Sequence, residues 1–77
     1  MSKSSLLFKI GREVKRLRLA RGWPQAELAR RSQISRSYVQ KIESRNPADM
    51  SLAVLARLAT GFEMKCYELV RNASRHR

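Results

Sequence analysis

The sequence predicts an all-α fold, a compact domain of five short helices. Three observations lead there. Apolar residues recur at helical spacing through nearly the whole chain, and no alternating run is long enough to compete as a strand. Ser, Pro and Gly residues punctuate that pattern into five segments. Between Gln25 and Ile42, small or aliphatic residues at Leu28, Ala29, Ile34, Val39 and Ile42 have the spacing that lets two crossed helices share one buried seam.

Taken in order, Ser4 and Ser5 offer caps for a first helix whose apolar residues Leu6, Leu7, Ile10, Val14 and Leu17 line one side, ending near Arg21-Gly22. Gly11 inside it weakens the helix by roughly 1 kcal/mol relative to Ala, which suggests close packing against a neighbour. Pro24 suits the start of a second helix running from Gln25 to about Arg31. A turn at Ser32-Gln33-Ile34 precedes Ser35, the cap of a third helix from Arg36 to about Ser44. Asn46 to Asp49 reads as a loop. Ser51 caps a fourth helix with Leu52, Leu55, Leu58, Ala59 and Phe62 on one face, and a fifth spans about Lys65 to Arg71 with Cys66, Leu69 and Val70.

At 77 residues the chain is a single domain, 1–77, with its core within 5–71 and a polar, basic tail at 72–77 expected to fray. Seventeen Lys and Arg against six Asp and Glu give a net charge of +11, suited to a polyanionic partner. No apolar run approaches the ~18 residues of a spanning helix and no signal peptide is evident, so a cytoplasmic protein is expected, with no membrane partner. One cysteine, Cys66, and one histidine, His76, cannot build a metal cluster or an internal disulfide. Cys66 reads as a small buried hydrophobe of the last helix. No phosphate-cradling Gly loop, activated nucleophile or paired carboxylates appear, so neither enzyme chemistry nor a cofactor is expected.

The segment Gln25 to Ile42 is a helix-turn-helix signature, because its second helix has an aliphatic inner face and an outer face of Arg36, Ser37, Gln40 and Lys41. Further residues fit a family pattern. Arg18 stands four residues before Gly22, Gln25-Ala26-Glu27-Leu28-Ala29 follows, Ile42-Glu43 closes the third helix, and Pro47 leads to the Leu-rich Ser51 to Phe62. From Ile10 to Val70 the chain thus resembles the phage repressor/Cro-like helix-turn-helix regulators of the xenobiotic-response-element type.

That resemblance implies a five-helix, lambda-repressor-like domain that binds double-stranded DNA, with its third helix in the major groove of a two-fold symmetric operator and commonly as a homodimer. It also implies an ion pair between Arg18 and Glu43, fastening the first helix to the end of the third. The chain departs from the pattern at three places. Gln33 stands where the turn usually has Gly, at a cost of roughly 1 kcal/mol if left-handed. Pro24 replaces the usual polar cap of the second helix, and Glu63 stands where Gly is expected between the fourth and fifth, with Gly61 suggesting an earlier end to the fourth.

Family position and helix geometry together nominate Arg36, Ser37, Gln40 and Lys41 to read base edges. Arg36 and Lys41 suit guanine O6 and N7, and Gln40 suits adenine N6 and N7. Gln25 at a helix start, the Tyr38 hydroxyl, and Ser44, Arg45 and Asn46 after the third helix are candidates for phosphates. Lys15, Arg16, Arg21, Arg30, Arg31 and Arg57 spread over several faces, so only some of them can meet DNA. Leu52, Val54, Leu55, Leu58, Phe62, Met64, Leu69 and Val70 exceed what one small core absorbs, which suggests a homodimer surface. Two alternatives share the fold: the antitoxin of a toxin–antitoxin pair, with a small toxin as protein partner, and a restriction–modification controller, to which the absence of a ligand domain is suited.

Overall fold

The structure, a computed structural model, describes residues 3–45, 47 and 49–75, with the backbone alone for residues 3 and 4. Five helices follow one another: α1 (Lys3–Ala20), α2 (Gln25–Ser32), α3 (Arg36–Ile42), α4 (Leu52–Gly61) and α5 (Cys66–Ser74). No strand occurs among the described residues. α5 packs mainly on α1, while α2 sits between α3 and α4.

One core joins all five helices. Ile10, Val14 and Leu17 of α1 meet Leu28 and Ala29 of α2, Val39 and Ile42 of α3, Leu58 and Phe62 at α4, and Leu69 and Ala73 of α5. The seam predicted between α2 and α3 is present, with Ile34 half-buried at its edge. Ser35 and Ser51 cap as expected, accepting the backbone N–H of Tyr38 at 3.0 Å and of Val54 at 3.1 Å. α1 begins at Lys3, ahead of the expected caps, so Ser4 and Ser5 stand within its first turn.

Three helix ends use one device. After α1 the Trp23 N–H donates to Arg18 O at 3.1 Å and Gly22 N–H to Leu19 O at 3.0 Å. After α2 Ile34 N–H reaches Ala29 O and Gln33 N–H reaches Arg30 O; after α4 Met64 N–H reaches Ala59 O and Glu63 N–H reaches Thr60 O. Each paired closure needs one left-handed residue, supplied by Gly22 (φ 70°), Gln33 (φ 56°) and Glu63 (φ 58°). Only the first of these is the glycine that the geometry favours. Gly61 serves a different purpose. It is the last residue of α4, and a Cβ there would fall onto the Ser32 hydroxyl and lie 3.3 Å from the Arg31 carbonyl carbon, so its role is to bring α4 onto α2.

Several expectations need correction. α3 ends at Ile42, sooner than Ser44, with Glu43 as its C-cap and a tighter bond from Ser44 N–H to Lys41 O at 3.2 Å closing the last turn. α5 continues to Ser74 and buries Ala73 completely, so Asn72 to Ser74 belong to the folded domain and not to a frayed tail. Leu52 is 74% exposed at the start of α4, and Leu6 also stays on the surface. Cys66, the first residue of α5, is half-buried.

Two further features stand out, the first expected only as Trp23 packing ahead of α2 to offset the missing cap at Pro24. Trp23 stacks on Phe62 with ring centroids 5.8 Å apart and planes within 4°, flanked by the guanidinium groups of Arg21 and Arg31. This clasp ties the ends of α1 and α4 to α2, and supports the Pro24 start that lacks a side-chain cap. The second is Ser32, whose hydroxyl is buried without a hydrogen-bond partner among the described residues.

Candidate nucleic-acid interface

α3 turns its seven residues so that Val39 and Ile42 enter the core while Arg36, Ser37, Gln40 and Lys41 remain exposed. At 100° per residue these four, spaced i, i+1, i+4 and i+5, share one outer face. None of the four side chains is engaged with another described residue. Their donors and acceptors therefore stand free on a convex ridge of the width a major groove admits.

Beneath the ridge lies a buried polar junction. Arg18 of α1 grips Glu43 with two hydrogen bonds, Nε to Oε2 at 2.8 Å and Nη2 to Oε1 at 3.0 Å, and its Nη1 donates to the Trp23 carbonyl at 2.7 Å. The two side chains are only 9% and 4% exposed. Gln25, at the start of α2, adds its amide to Glu43 Oε1 at 3.2 Å. A single carboxylate thus pins the start of α2, the end of α3 and the last turn of α1 together, and its charge is neutralised by Arg18.

α1 can come this close only because residue 11 is glycine. A Cβ at Gly11 would fall onto the main-chain oxygen of Ile42. The glycine that weakens the helix locally is what places Arg18 within reach of Glu43.

The candidate phosphate contacts divide. The start of α2 carries no side-chain cap, so its first N–H groups are available to an anion, and Gln25 retains donor capacity beyond its bond to Glu43. Arg45 is exposed and unpaired among the described residues. By contrast, Tyr38 donates its hydroxyl proton to Asp49 O at 3.1 Å, and Ser44 donates its own to Lys41 O at 2.7 Å. Each has one proton to give, and in this structure both hydroxyls use it in fastening α3. Asn46 lies outside the described residues.

Most other cations are engaged within the fold. Arg30 and Arg31 both bind Glu27 at 2.6 Å, and the hydrogen bond from Arg30 holds that carboxyl below its ordinary range. Arg16 binds the buried Glu13 at 2.7 Å, a pairing foreshadowed by their i, i+3 spacing. Arg21 donates to Phe62 O, and Arg57 to the carbonyl of left-handed Gln33 at 3.2 Å, bracing the turn between α2 and α3. Among the described residues, no group of His, Cys, Asp and Glu is arranged to hold a metal ion, and no helix is long and apolar enough to cross a membrane.

Comparison with known proteins agrees with this geometry. The pattern of a helix-turn-helix domain matches residues 9–65. The restriction–modification controller protein C.AhdI from Aeromonas hydrophila is 38% identical in sequence and superposes with a TM-score of 0.75, covering 82% of this chain and 94% of its own. The wild-type controller C.Esp1396I is 28% identical with a TM-score of 0.78 over 100% of this chain and 99% of its own. The same controller bound to a 19-base-pair DNA duplex gives a TM-score of 0.76 at 28% identity, over 92% and 97% of the two chains. Among curated proteins none matches. The chain belongs to the helix-turn-helix family.

Proposed function

We propose that the chain is a sequence-specific DNA-binding regulator of transcription, of the restriction–modification controller kind, without enzymatic activity. The observation that carries this reading is the outer face of α3. Arg36, Ser37, Gln40 and Lys41 are exposed and uncommitted on a helix whose inner face is fully buried, which is how a reading head is held rigidly on a scaffold. In this reading Arg36 recognises guanine, Gln40 adenine, and Ser37 and Lys41 neighbouring base edges. The open start of α2, Gln25 and Arg45 hold the phosphates that set register.

The likeness to C.AhdI and C.Esp1396I, the latter also in complex with duplex DNA, favours the controller role over the antitoxin alternative. The chain works in the compartment that holds DNA, the cytoplasm. It acts as a homodimer on a palindromic operator. In support, Leu52 and Tyr67 are 74% and 62% exposed, and Val54, Leu55, Met64 and Val70 are half-covered, whereas Leu58, Phe62 and Leu69 are taken into the core. Selection of bound sequences from random duplex DNA tests the whole reading. It is expected to return a two-fold symmetric site with half-sites about one helical turn apart. Recovery of sequences without a consensus would overturn it.

A further inference from the structure

Beside the recognition helix, α1 carries a second basic surface. Phe8, Arg12, Lys15 and Leu19 are spaced i, i+4, i+7 and i+11, a single stripe along the helix. Together with Glu43 and Arg45, just past α3, they line a groove of about 810 Å³. Arg12 and Lys15 are exposed and form no ion pair among the described residues, whereas Arg16, Arg18, Arg30 and Arg31 are held by carboxylates. The Arg12 guanidinium lies 5.7 Å over the Phe8 ring, which braces it toward the groove. The one acid in the lining, Glu43, is neutralised by Arg18.

We propose that this groove seats a phosphodiester strand of the duplex flanking the bases read by α3, with Arg12, Lys15 and Arg45 as the phosphate contacts. The proposal rests on the DNA-binding reading above. Two arguments carry it. The groove is continuous with the α3 surface, because Gly11 draws α1 against the carbonyl of Ile42 and so sets the α1 stripe beside Glu43 and Arg45. Its charge is complementary to a polyanion, since Arg12, Lys15 and Arg45 line it without an ion pair among the described residues. Leu19, 58% exposed, forms an apolar wall suited to the edge of a deoxyribose rather than a phosphate. Contacts of this kind carry no sequence information, so they raise affinity for every duplex equally.

The experiment is equilibrium binding by fluorescence anisotropy across a salt series, on the duplex recovered by selection and on a scrambled duplex, each with and without flanking base pairs. The wild type is compared with the double variant Arg12→Ala, Lys15→Ala and with Arg36→Ala. Both α1 substitutions place Ala at exposed helix positions, and circular dichroism of each variant checks that the fold is kept. For the double variant the slope of log affinity against log salt should become shallower by about 2, near 0.9 for each lost phosphate contact. The selected and scrambled duplexes should weaken by the same factor, and removing the flanks should abolish the difference from wild type. An unchanged slope with flanked duplex would overturn the proposal and leave the groove to another partner, such as an acidic protein segment. A wild type without salt-dependent binding would instead overturn the DNA-binding reading itself.

Discussion

At the scale of single residues, the departures from the family pattern are informative because each is visible as a particular backbone state. Gln33 stands where glycine is expected and does adopt a left-handed conformation, closing α2 with φ 56° and ψ 43°. Its side chain is exposed, so nothing in the packing requires glutamine there. Gln33→Gly should therefore raise stability by up to ~1 kcal/mol, the left-handed penalty less the backbone entropy that glycine adds to the unfolded chain. A rise in the urea midpoint without a change in slope checks it. Glu63 repeats the same conformation after α4. α4 does end at Gly61, as that glycine suggested, but its lack of a side chain serves contact with Ser32 and the left-handed turn falls to Glu63. A glycine in sequence does not say whether it answers to φ or to space. The Arg18 and Glu43 pair was named through the resemblance, and the residues agreed with it: an acid at the end of the recognition helix would oppose phosphate unless neutralised, and Arg18 lies one turn after Val14 beside the core.

At the scale of elements, the helices were legible because caps and aliphatic spacing act locally, whereas their ends were set by tertiary contacts. α3 stops at Ile42, where Glu43 caps it and joins the junction with Arg18, and α5 runs past Arg71 because Ala73 finds a place in the core. The small Ala73 in a polar tail gave no hydrophobic signal strong enough to extend the helix. The approach of α1 to α3 provides the sharpest test of how elements are held. Gly→Ala inside a helix ordinarily stabilises by roughly 1 kcal/mol. At Gly11 the sign should reverse, because the new Cβ would collide with the Ile42 carbonyl, which is backbone and cannot swing aside. Gly11→Ala should cost ~1–3 kcal/mol by thermal unfolding and weaken DNA binding with it, through displacement of the Arg18 and Glu43 contact.

At the scale of the whole molecule, the reading surface was legible because one local segment, Gln25 to Lys41, supplies both its scaffold and its side chains. Surfaces assembled from distant segments were not. The groove between α1 and Arg45 joins residues that no sequence pattern links, and the clasp of Trp23, Phe62, Arg21 and Arg31 is equally non-local. Charge was legible in total but not in distribution. The +11 predicted a polyanionic partner, yet Arg16, Arg18, Arg30 and Arg31 are each paired with a carboxylate, and the composition does not say which cations are left without an ion pair. What distinguishes a regulator from a merely basic protein is therefore selectivity rather than affinity. The decisive measurement is the ratio of affinities for the selected palindrome and a scrambled duplex at one fixed salt concentration, for wild type and Arg36→Ala. The account predicts a wild-type ratio of about 10³ or more, reduced roughly 5- to 150-fold by loss of the Arg36 contact. Equal affinities for the two duplexes, or a ratio untouched by Arg36→Ala, would contradict it.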